Sequence, residues 1–182
     1  MREASNTPTV CAPYCRVPTE STSLTTSINA SVEIRLACPK DVPRLGELVK
    51  RYWEFEKVPG FKPAAIERLL QQLIAAPQLG MVLLSEVDGL INGYLIAVLL
   101  FSLEHQGLMG EIDELYISPG MRSRGMGAKL LAFAEQELAR KGCVRMQLQI
   151  GKGNTIAREF YRFHGFVERA AYDLLDKPLA EN

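Results

Sequence analysis

The chain has 182 residues, of which 47% are hydrophobic and 23% charged, a composition that fits one globular domain with enough apolar content for a core. Lys+Arg and Asp+Glu balance at 21 each, so no overall field attracts nucleic acid or an anionic membrane surface. The longest apolar run, Tyr94 to Phe101, is far shorter than the roughly 20 residues that a membrane span requires, and we expect none.

Cysteine and histidine are too sparse to indicate a metal or redox centre. The four cysteines have neither the spacing of a zinc site nor the density of a disulfide scaffold; they are Cys11, Cys15, Cys38 and Cys143. The two histidines, His105 and His164, lie far apart in the sequence, so neither a His-based metal site nor a Ser-His-Asp triad is expected. With no secretory signal pattern at the N-terminus, these features predict a cytoplasmic protein without a metal.

The composition changes sharply near Val32. Residues 1–31 are rich in Ser, Thr and Pro, with scattered apolar residues that cannot drive their own burial. From Val32 onward, Val32, Ile34 and Leu36 alternate with Glu and Arg, which indicates a strand. We therefore predict a poorly structured tail over 1–31 and one domain over 32–182.

Two helices and a hairpin are predicted after the first strand. Apolar residues recur at helical spacing from Val42 to about Phe55, with Asp41 as the capping residue. A second helix begins at about Pro63 and stops before Pro77. Two β-rich runs then follow with Asp, Gly and Asn between them, which predicts an antiparallel hairpin; these runs are Met81–Val87 and Gly93–Ser102.

The remaining elements alternate between strand and helix. Strands are predicted over Glu111–Ser118 and Val144–Ile150, with a helix from about Gly125 between them. A helix over Asn154–Phe163 and a final strand over Phe166–Leu174 complete the order β-α-α-β-β-β-α-β-α-β. The sheet must therefore be mixed.

The turn from Arg122 to Gly127, read Arg-Ser-Arg-Gly-Met-Gly, ends a predicted strand and opens a helix. The first N–H groups of a helix lack intrahelical partners and carry positive potential, so this turn can hold a pyrophosphate. Gly125 and Gly127 let phosphate approach the backbone, while Arg122 and Arg124 supply charge. The turn lacks the Lys and Ser or Thr of a P-loop and the third glycine of a Rossmann fingerprint.

Two motifs in order resemble the GNAT superfamily of acyl-coenzyme A N-acyltransferases. Arg122, Gly125 and Gly127 match its coenzyme A motif, and Asn154-x-x-Ala157-x-x-x-Tyr161, followed by Gly-Phe, is similar to its second motif. Taken alone, Asn154 could be a helix cap and Tyr161 a core aromatic. The resemblance spans about 32–174 and implies an α/β (α+β) fold: a mixed, mostly antiparallel sheet with a V-shaped split between the fourth and fifth strands, flanked by four helices.

The resemblance also implies acetyl-CoA (coenzyme A) as co-substrate. Its pantetheine arm would enter the split between strands and pair with strand backbone, and a homodimer is possible. The cofactor-binding residues that follow are Leu115, Tyr116, Ile117, Arg122, Ser123, Arg124, Gly125, Met126, Gly127, Asn154, Ala157 and Tyr161.

The implied reaction is direct attack of a primary amine on the thioester, with Tyr161 protonating the departing thiolate. Glu111 and Asp113 are the candidates for the base that deprotonates the amine, and solvated strand-edge charges are the alternative interpretation. Strand alternation places both acids on the same face as Leu115 and Ile117, and Glu114 on the other face unless a bulge reorients it.

Glu54 and Glu56, beside Trp53 and Phe55, occupy the region that resembles the acceptor side in this family, and a cationic, partly apolar acceptor would fit there. Exposed charges at a helix end are the simpler interpretation of these two acids. Three hypotheses for the activity remain open: acetylation of a small-molecule amine, Nα- or Nε-acetylation of a protein, and a non-catalytic acyl-CoA sensor.

Overall fold

The computed structural model describes residues 32–179, which divide into two compact units after Leu148. The first unit contains a five-stranded sheet and three helices, and the second contains one helix. The predicted tail over 1–31, with Cys11 and Cys15, lies outside the described residues. The single domain over 32–182 stays a prediction.

The sheet is mixed and its strands follow one another in chain order. They are β1 (Val32–Leu36), β2 (Gly80–Val87), β3 (Leu90–Ser102), β4 (Gly107–Ile117) and β5 (Cys143–Leu148). All neighbouring pairs are antiparallel except β4 and β5, which run parallel. The helices are α1 (Val42–Glu56), α2 (Pro63–Ala75), α3 (Met126–Arg140) and α4 (Thr155–Phe163). The predicted fold class and the β2–β3 hairpin are thus confirmed.

Each face of the sheet buries a different set of helices. On one face, the apolar sides of α1 and α2 pack on alternate strand residues that include Tyr94 and Tyr116. On the other face α3 buries Leu130 and Leu131. A methyl group added to Gly110 of β4 would come within 2.4 Å of Leu138, so α3 approaches the strand at its glycine. The turn before α3 follows directly from the other end of β4.

A charged cluster fixes the corner where the chain leaves β1. The two terminal nitrogens of Arg35 donate to the two carboxylate oxygens of Asp41 at 2.7 and 2.8 Å, and Arg35 also bonds Glu86 of β2. Burial pushes the pKa of the Asp41 carboxyl up, but hydrogen bonds from Arg35 and Cys38 outweigh it and leave that pKa below its usual value. The cluster ties the first strand to its neighbour and to the start of α1.

The final strand predicted over Phe166–Leu174 is wrong: the described residues after α4 form no strand. Apolar side chains in and just after this segment are largely exposed, including Val167 at 86% and Leu174 at 69%. Paired Ala170–Ala171 and Leu174–Leu175 interrupt the period of two, so no single face collects the apolar residues that a strand would bury. Within 32–179, none of the helices has the length and apolar character that crossing a bilayer demands.

Candidate active site

β4 and β5 part before β4 ends. Their parallel pairing stops with Ile112 opposite Leu148, where β5 ends, and β4 continues to Ile117. The far half of β4 therefore has one edge on β3 and another edge that β5 does not reach. This opening lies where the split between the fourth and fifth strands is expected.

A β-bulge marks the same position on the other edge of β4. Ile96 of β3 lies opposite Glu114 and the next residue, Ala97, lies opposite Ile112. Asp113 is therefore the extra residue of the bulge, and it bends β4 at the point where β5 ends.

The pairing shows which backbone groups of β4 face the opening. The N–H of Ser118 donates to the carbonyl oxygen of Asn92 at 2.9 Å, so these opposed residues form a hydrogen-bonded pair. Such pairs alternate along antiparallel strands, so Tyr116 also bonds to β3 while Leu115 and Ile117 direct their N–H and C=O groups away from β3. Of the three backbone positions expected to hold pantetheine, the first and third have the required direction.

The start of α3 presents unpaired backbone donors. Gly125 is its N-cap at φ 75°, and the first intrahelical bond runs from the Lys129 N–H to the Gly125 carbonyl at 3.0 Å. The four N–H groups before Lys129 therefore have no intrahelical acceptor, and the N-cap glycine has no side chain that could accept from them. Open space surrounds the position that a Cβ on Gly125 would take. These residues fit the diphosphate of coenzyme A.

Arg122 contacts the end of β4 and the end of α1, and its role in binding coenzyme A stays a prediction. Its Nε donates to the carbonyl oxygen of Ile117 at 3.0 Å, which closes the turn between β4 and α3. Its guanidinium carbon lies 4.9 Å from the ring centre of Phe55 and 5.8 Å from that of Tyr116. The charge thus stacks on aromatic rings of α1 and β4.

Glu114 is a site residue that strand alternation misplaces. Its two carboxylate oxygens accept hydrogen bonds from Trp53 Nε1 at 2.8 Å and from the Tyr94 hydroxyl at 2.7 Å. The bulge at Asp113 accounts for this, because the extra residue reverses the alternation and turns Glu114 toward α1. Burial raises the pKa of the Glu114 carboxyl, although both hydrogen bonds oppose the shift, and Asp113 raises it further.

The two predicted bases differ in their surroundings. Glu111 accepts a hydrogen bond from Gln147 of β5, whereas Asp113 is exposed on the bulge. Desolvation by the surrounding chain and then the charge of Glu111 raise the pKa of the Asp113 carboxyl. The expectation that both acids share a face with Leu115 and Ile117 is wrong, because the bulge reverses the alternation after Asp113 and those two apolar residues lie on the α3 face.

Glu54 and Glu56, the two acids predicted on the acceptor side, have different surroundings. Glu54 is exposed and lies 3.9 Å from Lys50, one turn earlier in α1. Burial and then the charges of Glu114, Glu56 and Asp113 raise the pKa of the Tyr52 hydroxyl to about 12. Glu56 therefore belongs to the same electrostatic neighbourhood as the bulge, while Glu54 is a solvated helix charge.

The second unit contains the other motif. The Asn154 side chain accepts a hydrogen bond from the Ala157 N–H at 3.1 Å and so caps α4. Tyr161 is 8% exposed and packs edge-on against Phe160 and Phe166. Asn154 is therefore a helix cap and Tyr161 packs among aromatic rings. Their roles in binding the cofactor, and that of Tyr161 in catalysis, stay predictions.

Comparison with known proteins identifies the family. The model of the acetyltransferase (GNAT) family matches residues 43–166. The aminoalkylphosphonate N-acetyltransferase of Salmonella typhimurium is 33% identical over 79 residues, which are 43% of this chain and 51% of that protein. The chain spans about half the length of the curated relatives it matches.

Solved structures share the fold. An integron cassette protein from the mobile metagenome of Cole Harbour Salt Marsh is 28% identical with a TM-score of 0.73, over 82% of this chain and 91% of that one. The aminoglycoside N-acetyltransferase AAC(6')-Iy, solved in complex with CoA, has a TM-score of 0.74 at 19% identity, over 84% of this chain and 99% of that one. With two thirds of its residues matched by the family model, the chain belongs to the acetyltransferase (GNAT) family.

Proposed function

We propose that the chain is an acetyl-CoA-dependent N-acetyltransferase that acts on the primary amine of a small molecule. The observation that carries the proposal is the succession along the chain of the bulge at Asp113, the open edge of β4 beyond it and the start of α3, whose first N–H groups have no intrahelical acceptor. Family membership supports it, as do relatives named for N-acetylation of aminoalkylphosphonates and aminoglycosides.

The residues around the opening divide the binding of acetyl-CoA between them. The N–H groups at the start of α3, from Gly125 onward, would hold the diphosphate, and Arg124 would add positive charge. The N–H and C=O of Leu115 and the N–H of Ile117 would pair with the pantetheine amides, while the Ile117 carbonyl accepts from Arg122. The bound co-substrate supplies an acetyl thioester, which an amine can attack without an acyl-enzyme.

Three groups of this chain would then assist the attack. A backbone N–H on the open edge, near Leu115, donates to the thioester carbonyl oxygen. Asp113 accepts the proton of the incoming ammonium, and we place it ahead of Glu111 because its pKa is raised toward the working pH. Tyr161 protonates the departing thiolate, a role carried over from the family.

The charges around the bulge favour a cationic acceptor. Asp113, Glu114 and Glu56 all act on the hydroxyl of Tyr52, and the described residues place no Lys or Arg in an ion pair with Asp113 or Glu114. An amine with further ammonium groups gains attraction here, whereas a phosphonate dianion is repelled. We therefore propose a polyamine or aminoglycoside in preference to an aminoalkylphosphonate.

The test is a panel of amines with acetyl-CoA, followed by release of free thiol. The panel contains an aminoglycoside, spermidine, an aminoalkylphosphonate and peptides with a free N-terminus or lysine. We expect the polycationic small molecules to have the highest kcat/KM. Preference for a peptide would instead support a protein acetyltransferase. Coenzyme A binding with no thiol release for any amine would support a sensor and reject the proposal.

A cytoplasmic location is part of the same proposal, since the spacing of the cysteines suits a reducing compartment. A homodimer stays an expectation from the family. No three His, Cys, Asp or Glu side chains within 32–179 converge as a metal site would require, and the proposed reaction includes no metal.

A further inference from the structure

The side chain of Arg122 joins the turn before α3 to two elements of the first unit, β4 and α1. Its Nε–H donates to the Ile117 carbonyl at the end of β4, so the residue is fixed to the strand that it follows. Its guanidinium lies over Phe55 in the last turn of α1 and over Tyr116 of β4. No carboxylate of the described residues forms an ion pair with it.

The end of α1 touches β4 and the turn beyond it through two side chains. Trp53 bonds Glu114 at the bulge, and Phe55, which is 58% exposed, lies under the Arg122 guanidinium. α1 ends just afterward at Glu56, and the next residue, Lys57, caps it at the left-handed φ of 58°. The contact of Phe55 with Arg122 therefore restrains the last turn of α1 from the side of the turn before α3, in addition to the bond from Trp53 to Glu114.

We propose that Arg122 is a positioning residue that couples the diphosphate turn to the end of α1, so that coenzyme A and the amine acceptor each increase the affinity for the other. This inference rests on the proposed function, because it takes the start of α3 as the diphosphate site and the end of α1 as a wall of the acceptor site.

The coupling follows from where the contacts lie. The turn between Arg122 and Gly125 includes Ser123 at φ 61°, a left-handed conformation that a serine seldom adopts without support. A diphosphate bound by the N–H groups after Gly125 holds this turn in place. The fixed turn holds the Arg122 guanidinium, which in turn holds Phe55 and the acceptor wall. Linkage requires that an acceptor bound to the wall strengthens coenzyme A binding by the same factor.

The contact itself limits the size of the effect. A cation over an exposed aromatic ring contributes about 0.5–1 kcal/mol, which corresponds to a coupling of about two- to fivefold. Arginine is required because its planar group can stack while its Nε bonds the Ile117 carbonyl, and the ammonium of lysine can do only one of these.

Trp53 is the only tryptophan of the chain and lies two residues before Phe55, so its fluorescence reports on the end of α1. We expect coenzyme A to change Trp53 emission in the wild type. In Phe55→Leu most of that change is lost, although calorimetry still detects coenzyme A binding. Arg122→Lys should lose the signal in the same way. The matched control is Phe101→Leu, a second exposed phenylalanine, which lies at the far end of β3 and should behave as the wild type.

A second measurement compares coenzyme A affinity with and without the amine that the panel shows to be acetylated, since coenzyme A and amine form a complex that cannot react. We expect the amine to tighten coenzyme A binding about two- to fivefold in the wild type and in Phe101→Leu, and by a factor near one in Phe55→Leu. If Phe55→Leu keeps both the emission change and the coupling, Arg122 does not couple the sites. If the wild type fails to bind coenzyme A, the proposed function fails first and this inference falls with it.

Discussion

Two groups of acids in the first unit have opposite surroundings. Asp41 and Glu86 share the guanidinium of Arg35 at the β1 corner, and hydrogen bonds to that cation bring the pKa of the Asp41 carboxyl below its usual value. Asp113 and Glu114 occupy the β4 bulge, where desolvation by the surrounding chain raises the pKa of both carboxyls and neighbouring acids raise it further. The donors on Glu114 are neutral, an indole and a phenol.

The two surroundings have opposite effects on stability: the ionised acid at the corner stabilises the fold, and the ionised acids at the bulge destabilise it. Charge balance at the corner lowers the free energy of the folded state, since each oxygen of Asp41 has a charged or backbone partner. At the bulge, like charges and desolvation raise the free energy of the ionised state, and such sites are where proton transfer is commonly performed. The corner acids are therefore structural, and the bulge acids are candidates for chemistry.

The largest effect that we predict is a loss of turnover when the acid at the bulge is replaced. Asp113→Asn removes the proposed proton acceptor while keeping the size of the side chain. We expect kcat/KM for the best amine to fall about 100-fold, because general-base catalysis contributes at least that factor. The free energy of unfolding should change little, since the side chain is exposed. Steady-state kinetics and urea unfolding measure the two quantities.

Two variants control this experiment. Glu33→Gln changes an exposed strand acid of β1 and should leave both quantities unaltered. Glu111→Gln tests the other predicted base. A loss of turnover in Glu111→Gln with none in Asp113→Asn would exchange the two roles, and full activity in both would remove the bulge acids from the mechanism.

The second prediction concerns stability, at the corner. Asp41→Ala leaves the partly buried Arg35 with one acid and removes the acceptor for the Cys38 N–H. We expect a loss of about 2–3 kcal/mol, below the usual cost of breaking a fully buried pair because Arg35 keeps Glu86. Urea unfolding measures the loss, and kcat of the remaining folded protein should be unchanged. Lost turnover with unchanged stability would contradict the structural role of the corner.

Most of the fold could be predicted from the sequence because local patterns and tertiary structure agree. The apolar periodicity of α1 lies on the face that the core covers, the apolar run of β2 is buried, and Asp88 and Gly89 form the hairpin turn at positive φ. The failure over 166–174 has the opposite cause. The segment contains apolar residues, but Ala170–Ala171 and Leu174–Leu175 interrupt their period of two, so a strand there would have no single face to bury.

The anion site at the start of α3 could be predicted from the sequence, because local backbone chemistry determines it. The side-chain directions along β4 could not, because they depend on strand register. The Gly-rich turn indicates an anion site at the start of α3 from local residues alone. Strand alternation alone misplaces Glu114, because the bulge that reorients it depends on how β3 pairs with β4, and the residue pattern along β4 does not fix that register. The sequence predicted for Arg122 only a positive charge near the pyrophosphate, whereas its observed position depends on the aromatic rings of Phe55 and Tyr116, which the fold brings next to it.

The smallest predicted effect is on the pH dependence of stability, and it tests whether the carboxyl of Glu114 behaves oppositely to that of Asp41. Glu114→Gln replaces a titrating carboxyl by an amide that can still accept from Trp53. Because burial raises the folded-state pKa of Glu114 above its unfolded value, the folded wild type binds more protons between those two values. Wild-type stability from this group is therefore fully present below the unfolded pKa, about 4.3, and is lost as the pH rises through the folded pKa.

The variant has no such loss, so its stability relative to the wild type should increase from pH 4 to pH 7, whatever its offset at pH 4. Asp41 titrates in both proteins with the opposite sign, because its stabilisation is lost as the pH falls through its lowered pKa, and it cancels from the difference. Thermal unfolding at several pH values measures the trend. A difference that decreases with pH would mean that the fold stabilises ionised Glu114 as it does Asp41, and the contrast between bulge and corner would then be lost.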